Sequence, residues 1–345
     1  MITDKGPGDE RQFAAEQERG KRKERIQTMK KAMSCVIAAV IAAGIVLPAS
    51  AQDSGLAGEI SLSGAWALYP MALRWSEEFR KLHPRVRIDV QAGGAGKGIA
   101  DALAGVVDLG MVSRGIHPTE TGKGAFPLAV CKDAVVPTLS AKNPFLTQLQ
   151  RTGVRKEALI AAWITEQAKT WGGLLGTGER SPLQVYTRSD ACGAAETWAE
   201  FLGKKQEDLR GIGVYGDPGL AEAVRRDALG LGFNNINYAY DAKTENPLQG
   251  MAILPLDLNG NGTVDPEESF YQNRDAITAA IARGAYPSPP ARDLYLVAKG
   301  RPQKPALVEF LRWILDAGQK FVPETGYIAL SSERLAAEMK KIEAP

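Results

Sequence analysis

Beyond residue 57, short stretches of alternating apolar and polar positions take turns with segments whose apolar residues recur every three or four positions. That rhythm belongs to strands and amphipathic helices in an α/β fold with a largely parallel sheet. Residues 58–65 (GEISLSGA) predict a strand ending in a glycine turn, and residues 70–82 a helix with Leu73, Phe79 and Leu82 near one face. Residues 85–92 (RVRIDVQA) alternate Val86, Ile88 and Val90 inward, as a half-buried strand does. The glycine-rich run 93–98 (GGAGKG) then opens a helix over 99–104, followed by a strand over 106–113. A second strand–turn–helix unit spans 186–203 (YTRSDACGAAETWAEFLG), its helix predicted over 194–202.

The composition, 44% hydrophobic and 24% charged over 345 residues, is that of ordinary globular protein, and the length suits about two domains. Forty-two basic against forty acidic residues leave no bulk field to attract nucleic acid or an anionic membrane, so binding must be local. Residues 1–51 hold nine Lys/Arg and six Asp/Glu, which leaves the rest nearly neutral. Within that segment Met29-Lys30-Lys31, an apolar run over 35–47 and Ala49-Ser50-Ala51 before Gln52 have the layout of a secretory signal cleaved near Ala51. The apolar run is shorter than the roughly 20 residues a membrane-spanning helix needs. Residues 1–28, upstream of Met29, read as an upstream mis-start or a solvated charged extension, and no function is assigned to them. The mature chain is therefore expected in the periplasm or outside the cell.

Cys131 and Cys192 would remain there, where a disulfide is permitted but not demanded. His83 and His117 stand alone, so neither a zinc site nor a Ser/His/Asp set can be assembled, and no catalytic residues are assigned. The run 93–98 fails both nucleotide patterns. GxxxxGK[ST] would need a Gly at Gln91 and a hydroxyl at Gly98, and GxGxxG would need a Gly at Ile99. A strand, a glycine loop and a helix N-terminus still attract anions; equally, the glycines allow a tight turn. Arg188, just before the second helix, offers a planar fork of donors to an oxyanion, or else forms a surface salt bridge.

One motif stands apart. DLNGNGTVDPEE (257–268) matches D-x-[DN]-x-[DN]-G-x5-E throughout. Asp257, Asn259 and Asn261 would present side-chain oxygens to a structural Ca2+, Thr263 its carbonyl, Asp265 a direct or water-borne contact, and Glu268 a bidentate carboxylate. The strand-like MAILPL before it predicts a lone calcium loop and not a paired hand.

The blocks SGAWALYPMALRWSEEF, QAGGAGKGIADALAGVVDLGMVSR, YTRSDACGAAETWAEFLG, GDPGLAEAVRRDALGLGF and YPSPPARDLYLVAKG, in that order, resemble the substrate-binding proteins of phosphate ABC transporters. The resemblance implies a type II periplasmic binding fold of two α/β lobes joined by two crossover strands near 135–139 and 294–297. Lobe 1 would comprise 58–137 and 295–345, and lobe 2 residues 138–294 with the calcium loop. It further implies a non-enzymatic monomer that holds phosphate or a related oxyanion in the cleft and delivers it to a membrane permease. Ligand contacts would fall on Leu68, Tyr69, Gly96, Ser113, Arg188, Cys192, Gly193 and Ala194. Leu68, Cys192 and Ala194 depart from the family's hydroxyl residues, so Arg114 and Lys97 are candidates to replace donors with charge. A signalling or adhesion protein that keeps the fold without phosphate binding is the alternative. Cys192, at a helix N-terminus beside Arg188, is expected to have a lowered thiol pKa or to pair with Cys131. Arg188→Ala is expected to abolish binding with little change in the stability of the empty protein.

Overall fold

The computed structural model describes residues 55–343; the proposed signal segment and residues 1–28 lie outside them. In chain order the elements are β1 (Gly58–Gly64), α1 (Tyr69–Leu82), β2 (Val86–Ala92), α2 (Ala95–Ala104), β3 (Leu109–Val112), α3 (Pro118–Gly122) and β4 (Ala125–Ser140). Then follow α4 (Leu146–Thr152), α5 (Lys156–Trp163), α6 (Trp171–Leu175), β5 (Gln184–Arg188), α7 (Gly193–Phe201), β6 (Ile212–Val214), α8 (Gly216–Arg226), β7 (Gly230–Asn235) and β8 (Met251–Ile253). The chain closes with α9 (Arg274–Ala282), β9 (Ala291–Lys299), α10 (Pro305–Leu315), α11 (Phe321–Glu324) and α12 (Ser332–Glu343).

The strands run β2-β1-β3-β9-β4-β7-β5-β6, with β8 added to β4. β1 pairs in parallel with β2 and β3, and β5 with β6 and β7. Between these two parallel sets lie β4 and β9, antiparallel to one another from Ala125–Lys299 to Ala134–Ala291. Apolar residues divide into two cores accordingly. One draws on Ile60 to Cys131 and Leu294 to Ile342, the other chiefly on Ala134 to Ala291. This is a two-lobed binding-protein fold. The cores hand over at Lys132–Asp133 on β4 and Arg292–Asp293 on β9, a few residues before the stretches expected for the crossovers.

Helix α1 buries Met71, Ala72, Trp75 and Phe79, while Leu73 and Leu82 are 37% and 45% exposed. Trp75 and Phe79 bring far more apolar area than the two leucines, so the helix turns them inward and leaves Leu73 and Leu82 off the buried face. The glycine-rich run is largely helical, because α2 begins at Ala95 with Gly94 capping it at φ +92°. A Cβ at Gly98 would lie 2.6 Å from the Met111 carbonyl and 2.8 Å from the Gly64 Cα, so the absent side chain lets α2 sit directly on β1 and β3. Both candidate turns, at 93–98 and 189–193, thus come to the same end of the sheet strands that precede them.

Candidate functional site

The two lobes meet where these turns face one another. The Gly96 amide donates to the Ala191 carbonyl at 3.2 Å, and the Tyr238 hydroxyl to the Trp66 carbonyl at 3.2 Å. A Cβ at Gly193 would stand 2.2 Å from the Ser113 carbonyl, so the start of α7 abuts the end of β3. At the rim Arg114 bonds Glu120 through both ends of its fork and reaches across to Glu196 at 2.9 Å, which His117 also approaches at 3.3 Å. Lys97 pairs with Asp101 on its own helix. Both cations proposed to replace lost hydroxyls are therefore engaged with carboxylates: Arg114 ties the lobes together and Lys97 braces α2.

Arg188 is the centre of the arrangement. Its side chain has no solvent exposure, and Nε and one terminal nitrogen hold Asp190 at 2.8 and 2.7 Å while the other holds Asp217 at 2.5 Å. Burial works against its charge, but Asp217, Cys192 and Asp190 outweigh it, and the pKa is raised. Three of the five guanidinium N–H groups are taken by these carboxylates, which leaves two for a ligand. Asp190 also accepts from the Gly216 amide at the head of α8. Asp217 continues inward to the Asn235 side chain at 2.6 Å, and the Asn235 side-chain Oδ1 accepts from Arg292 on β9. Arg292 in turn lies 3.4 Å from the Gly193 carbonyl and 3.5 Å from Asp133 on β4.

The remaining positions named from the resemblance surround this network unevenly. Leu68 is fully buried and its amide donates to the Ala65 carbonyl; the Tyr69 amide donates to Trp66. Ser113 is 2% exposed and faces Gly193. Gly193 and Ala194 form the first turn of α7, where amides have no acceptor within the helix. Cys192 caps that turn, its sulfur accepting from the Ala195 amide at 3.5 Å. The expected lowering of its pKa does not occur. Burial pushes the thiol up to about 12, with Asp190 and Asp217 adding to burial and Arg188 opposing it. Cys131 and Cys192 are both buried free thiols, so they form no disulfide.

Residues 257–268 lie apart from the cleft. Asp257 accepts from the Gly260 and Gly262 amides and from Arg155, which hold its carboxyl below the usual range against burial. Asn259 and Asn261 accept from the Asn261 and Thr263 amides, and both donate to Asp265. Glu268 accepts from the Leu258, Asn259 and Asp265 amides. Among the described residues no group of three or more His, Cys, Asp or Glu is arranged to hold a metal ion. Asp257 and Glu268 are thus turned to the loop's own backbone and Asp265 to its asparagine side chains.

A family model described as the PBP superfamily domain matches residues 49–317. The chain belongs to the PBP superfamily. Among relatives of this superfamily member, the phosphate-binding protein PstS of Pseudomonas aeruginosa is 25% identical over 340 residues, covering 92% of this chain and 99% of the relative. A phosphate ABC transporter substrate-binding protein of Clostridium perfringens, solved with bound phosphate, is 20% identical with a TM-score of 0.65, covering 79% of this chain and all of that one. An ABC-type phosphate transport receptor of Vibrio cholerae has a TM-score of 0.57 at 18% identity, with coverage of 79% and 100%. The resemblance read from the sequence blocks and the two-lobed fold it implied are thereby borne out.

Proposed function

We propose that this protein is an extracytoplasmic solute-binding protein that captures an oxyanion, phosphate above all, between its lobes and presents it to an ABC-type membrane permease. One observation carries the reading. Arg188 is held rigidly in the contact between the lobes, beside the open amides of the first turn of α7, with two N–H groups left over. Arginine N–H groups beside a helix N-terminus attract a tetrahedral oxyanion. The Trp66 indole N–H, buried without a partner, lies against Gly216 at the head of α8 and adds a donor beside the network. The curated relatives are named for phosphate binding, and nothing in the site's arrangement supplies a nucleophile with a base beside it. The role is one of capture and release. No helix among the described residues is long and apolar enough to cross a membrane, so delivery rests on a separate permease, and export rests on the signal ending near Ala51.

A second reading, a signalling or adhesion protein that keeps the fold without phosphate, is favoured by one feature: Leu68, Cys192 and Ala194 bring no hydroxyl, and two carboxylates already hold Arg188. Titration calorimetry of the ligand-stripped protein with phosphate, and with sulfate and molybdate as controls, separates the two. Micromolar or tighter phosphate binding supports transport; no heat with any of the three, on folded protein, overturns it. The 257–268 loop is taken to hold a structural calcium ion through Asn259, Asn261 and the Thr263 carbonyl, with Asp257, Asp265 and Glu268 supplying charge, and repeating each titration with calcium tests that.

A further inference from the structure

The buried network that reaches Arg188 begins at the hinge, and its charges do not balance. Arg188 and Arg292 carry two positive charges; Asp190, Asp217 and Asp133 offer three negative ones. The first two carboxylates are saturated by guanidinium and amide donors. Asp133 is different. It is fully buried on β4, paired in register with Arg292 on β9, and neither of its oxygens has a side-chain hydrogen bond, although the Ala134 and Ile236 amides approach it. Its ion pair with Arg292 is long, at 3.5 Å, because the guanidinium is turned to Asn235 and Gly193, and Arg292 Nε is itself buried without a partner.

An oxyanion entering beside Arg188 would meet a cluster that is already one charge negative, in a dry interior where such repulsion is strongly felt. Resting on the reading that the cleft holds an oxyanion, we propose that Asp133 is a proton-binding site, and that the protein takes its anion together with one proton. The groups facing Asp133 leave it the one able to respond. From β9 comes Arg292, from α8 Asp217; Cys131 lies on its own strand, and Tyr238, Tyr286 and Tyr327 face it from the neighbouring loops. Burial raises the thiol and all three phenols, so they stay neutral. Burial, only partly offset by Arg292 and the Ala134 and Ile236 amides and helped by Asp217, also raises the Asp133 carboxyl, to about 7, where an added negative charge nearby tips it to the protonated form. Asp133 and Arg292 lie where the chain passes between lobes, so a proton here joins ligand charge to the hinge.

The test is calorimetry of phosphate binding at pH 8 in buffers of different ionisation enthalpy, on the wild type and Asp133→Asn. Phosphate's own protons cancel in the difference. The wild type is expected to absorb about one proton more per phosphate than the variant, and to lose affinity about tenfold more per pH unit above 7. Equal proton counts with intact binding overturn the proposal and leave the transport reading standing, whereas no phosphate binding by the wild type overturns both. Should Asp133→Asn fail to fold, difference infrared spectroscopy on the wild type decides. A protonated-carboxyl band must grow when phosphate is added at pH 8, and its absence refutes the proposal.

Discussion

The two walls of the cleft are built from different chemistry. Lobe 1 presents Leu68, the Gly96 turn and Ser113, which are uncharged, and its nearby cations Lys97 and Arg114 are tied to carboxylates. Lobe 2 and the hinge present Arg188, Asp190, Asp217, Arg292 and Asp133, buried and linked in one chain of contacts. The difference separates two jobs. In the proposed site charge recognition would be stored in lobe 2, inside its fold, so it could not be altered without touching stability. Lobe 1 acts as a neutral cap, and changes there should move closure and affinity while leaving lobe 2's fold alone.

The largest effect that would test this division comes from Arg188→Ala. Removing one partner of a buried ion pair strands the others, here Asp190 and Asp217, and such losses run to about 3–5 kcal/mol. The expected outcome is a loss of that size in the denaturant unfolding of the ligand-free protein, together with loss of phosphate binding. This reverses the expectation drawn from the sequence, where Arg188 looked like a side chain waiting for its ligand. Unchanged stability of the empty variant would return it to that role and dissolve the contrast between the walls.

A smaller effect is expected where the walls touch. In Gly193→Ala the new Cβ falls 2.2 Å from the Ser113 carbonyl, a backbone atom that cannot swing aside, so the lobes must part. Overpacking of this kind costs about 1–3 kcal/mol. Here it should appear as weaker phosphate binding, by about tenfold or more, and a larger radius of gyration in solution scattering, since neither lobe's core is touched. Retained affinity would mean that ligand binds with the lobes already apart.

How much of this was legible without coordinates follows from the range of each interaction. Strands and helices were, because their periods are local, and so were the two turns, each a glycine-rich or Arg-bearing loop between a strand and a helix. The network was not. Arg188 meets Asp217 across 29 residues, and Arg292 faces Asp133 across β4 and β9, far apart in the chain. A signal was present nonetheless: Asp133 within LAVCKDAVVPTLS, Arg292 within ARDLYLVAK, and Asn234-Asn235 ending GLGFNN are polar residues set into otherwise buried strands. Buried polar groups demand partners, and Arg292 is the partner of both Asp133 and Asn235, while Asn234 accepts from Thr138. At 257–268 the motif was fully legible but the orientation of its carboxylates was not, since an amide and a metal ion compete for the same oxygens.

The rim offers a milder test. Glu196→Gln removes the lobe 2 partner of Arg114 and His117 but leaves Arg114 bound to Glu120. Arg114 is buried but keeps Glu120, while Glu196 and His117 are 32% and 52% exposed. A partly exposed pair of this kind contributes about 1 kcal/mol or less, so phosphate affinity should fall no more than about fivefold, and the deficit should shrink as salt rises. A far larger loss would shift part of the charge recognition to lobe 1.

The smallest effect should come from calcium, and it tests the division from outside the cleft. The 257–268 loop belongs to lobe 2 yet none of its side chains joins the Arg188 network; Asp257 is tied to Arg155 and to its own loop. A bound ion must displace backbone amides from Asp257 and Glu268, which weakens the site. At ten times the dissociation constant, binding to the native state alone stabilises by about 1.4 kcal/mol, a rise of a few degrees in Tm for a protein of this size. Phosphate affinity should not change, because among the described residues no contact links the loop's side chains to Arg188 or its partners. A calcium-dependent phosphate affinity would show instead that lobe 2 transmits charge from its surface to Arg188, and the wall would then have to be counted as one electrostatic unit with the loop.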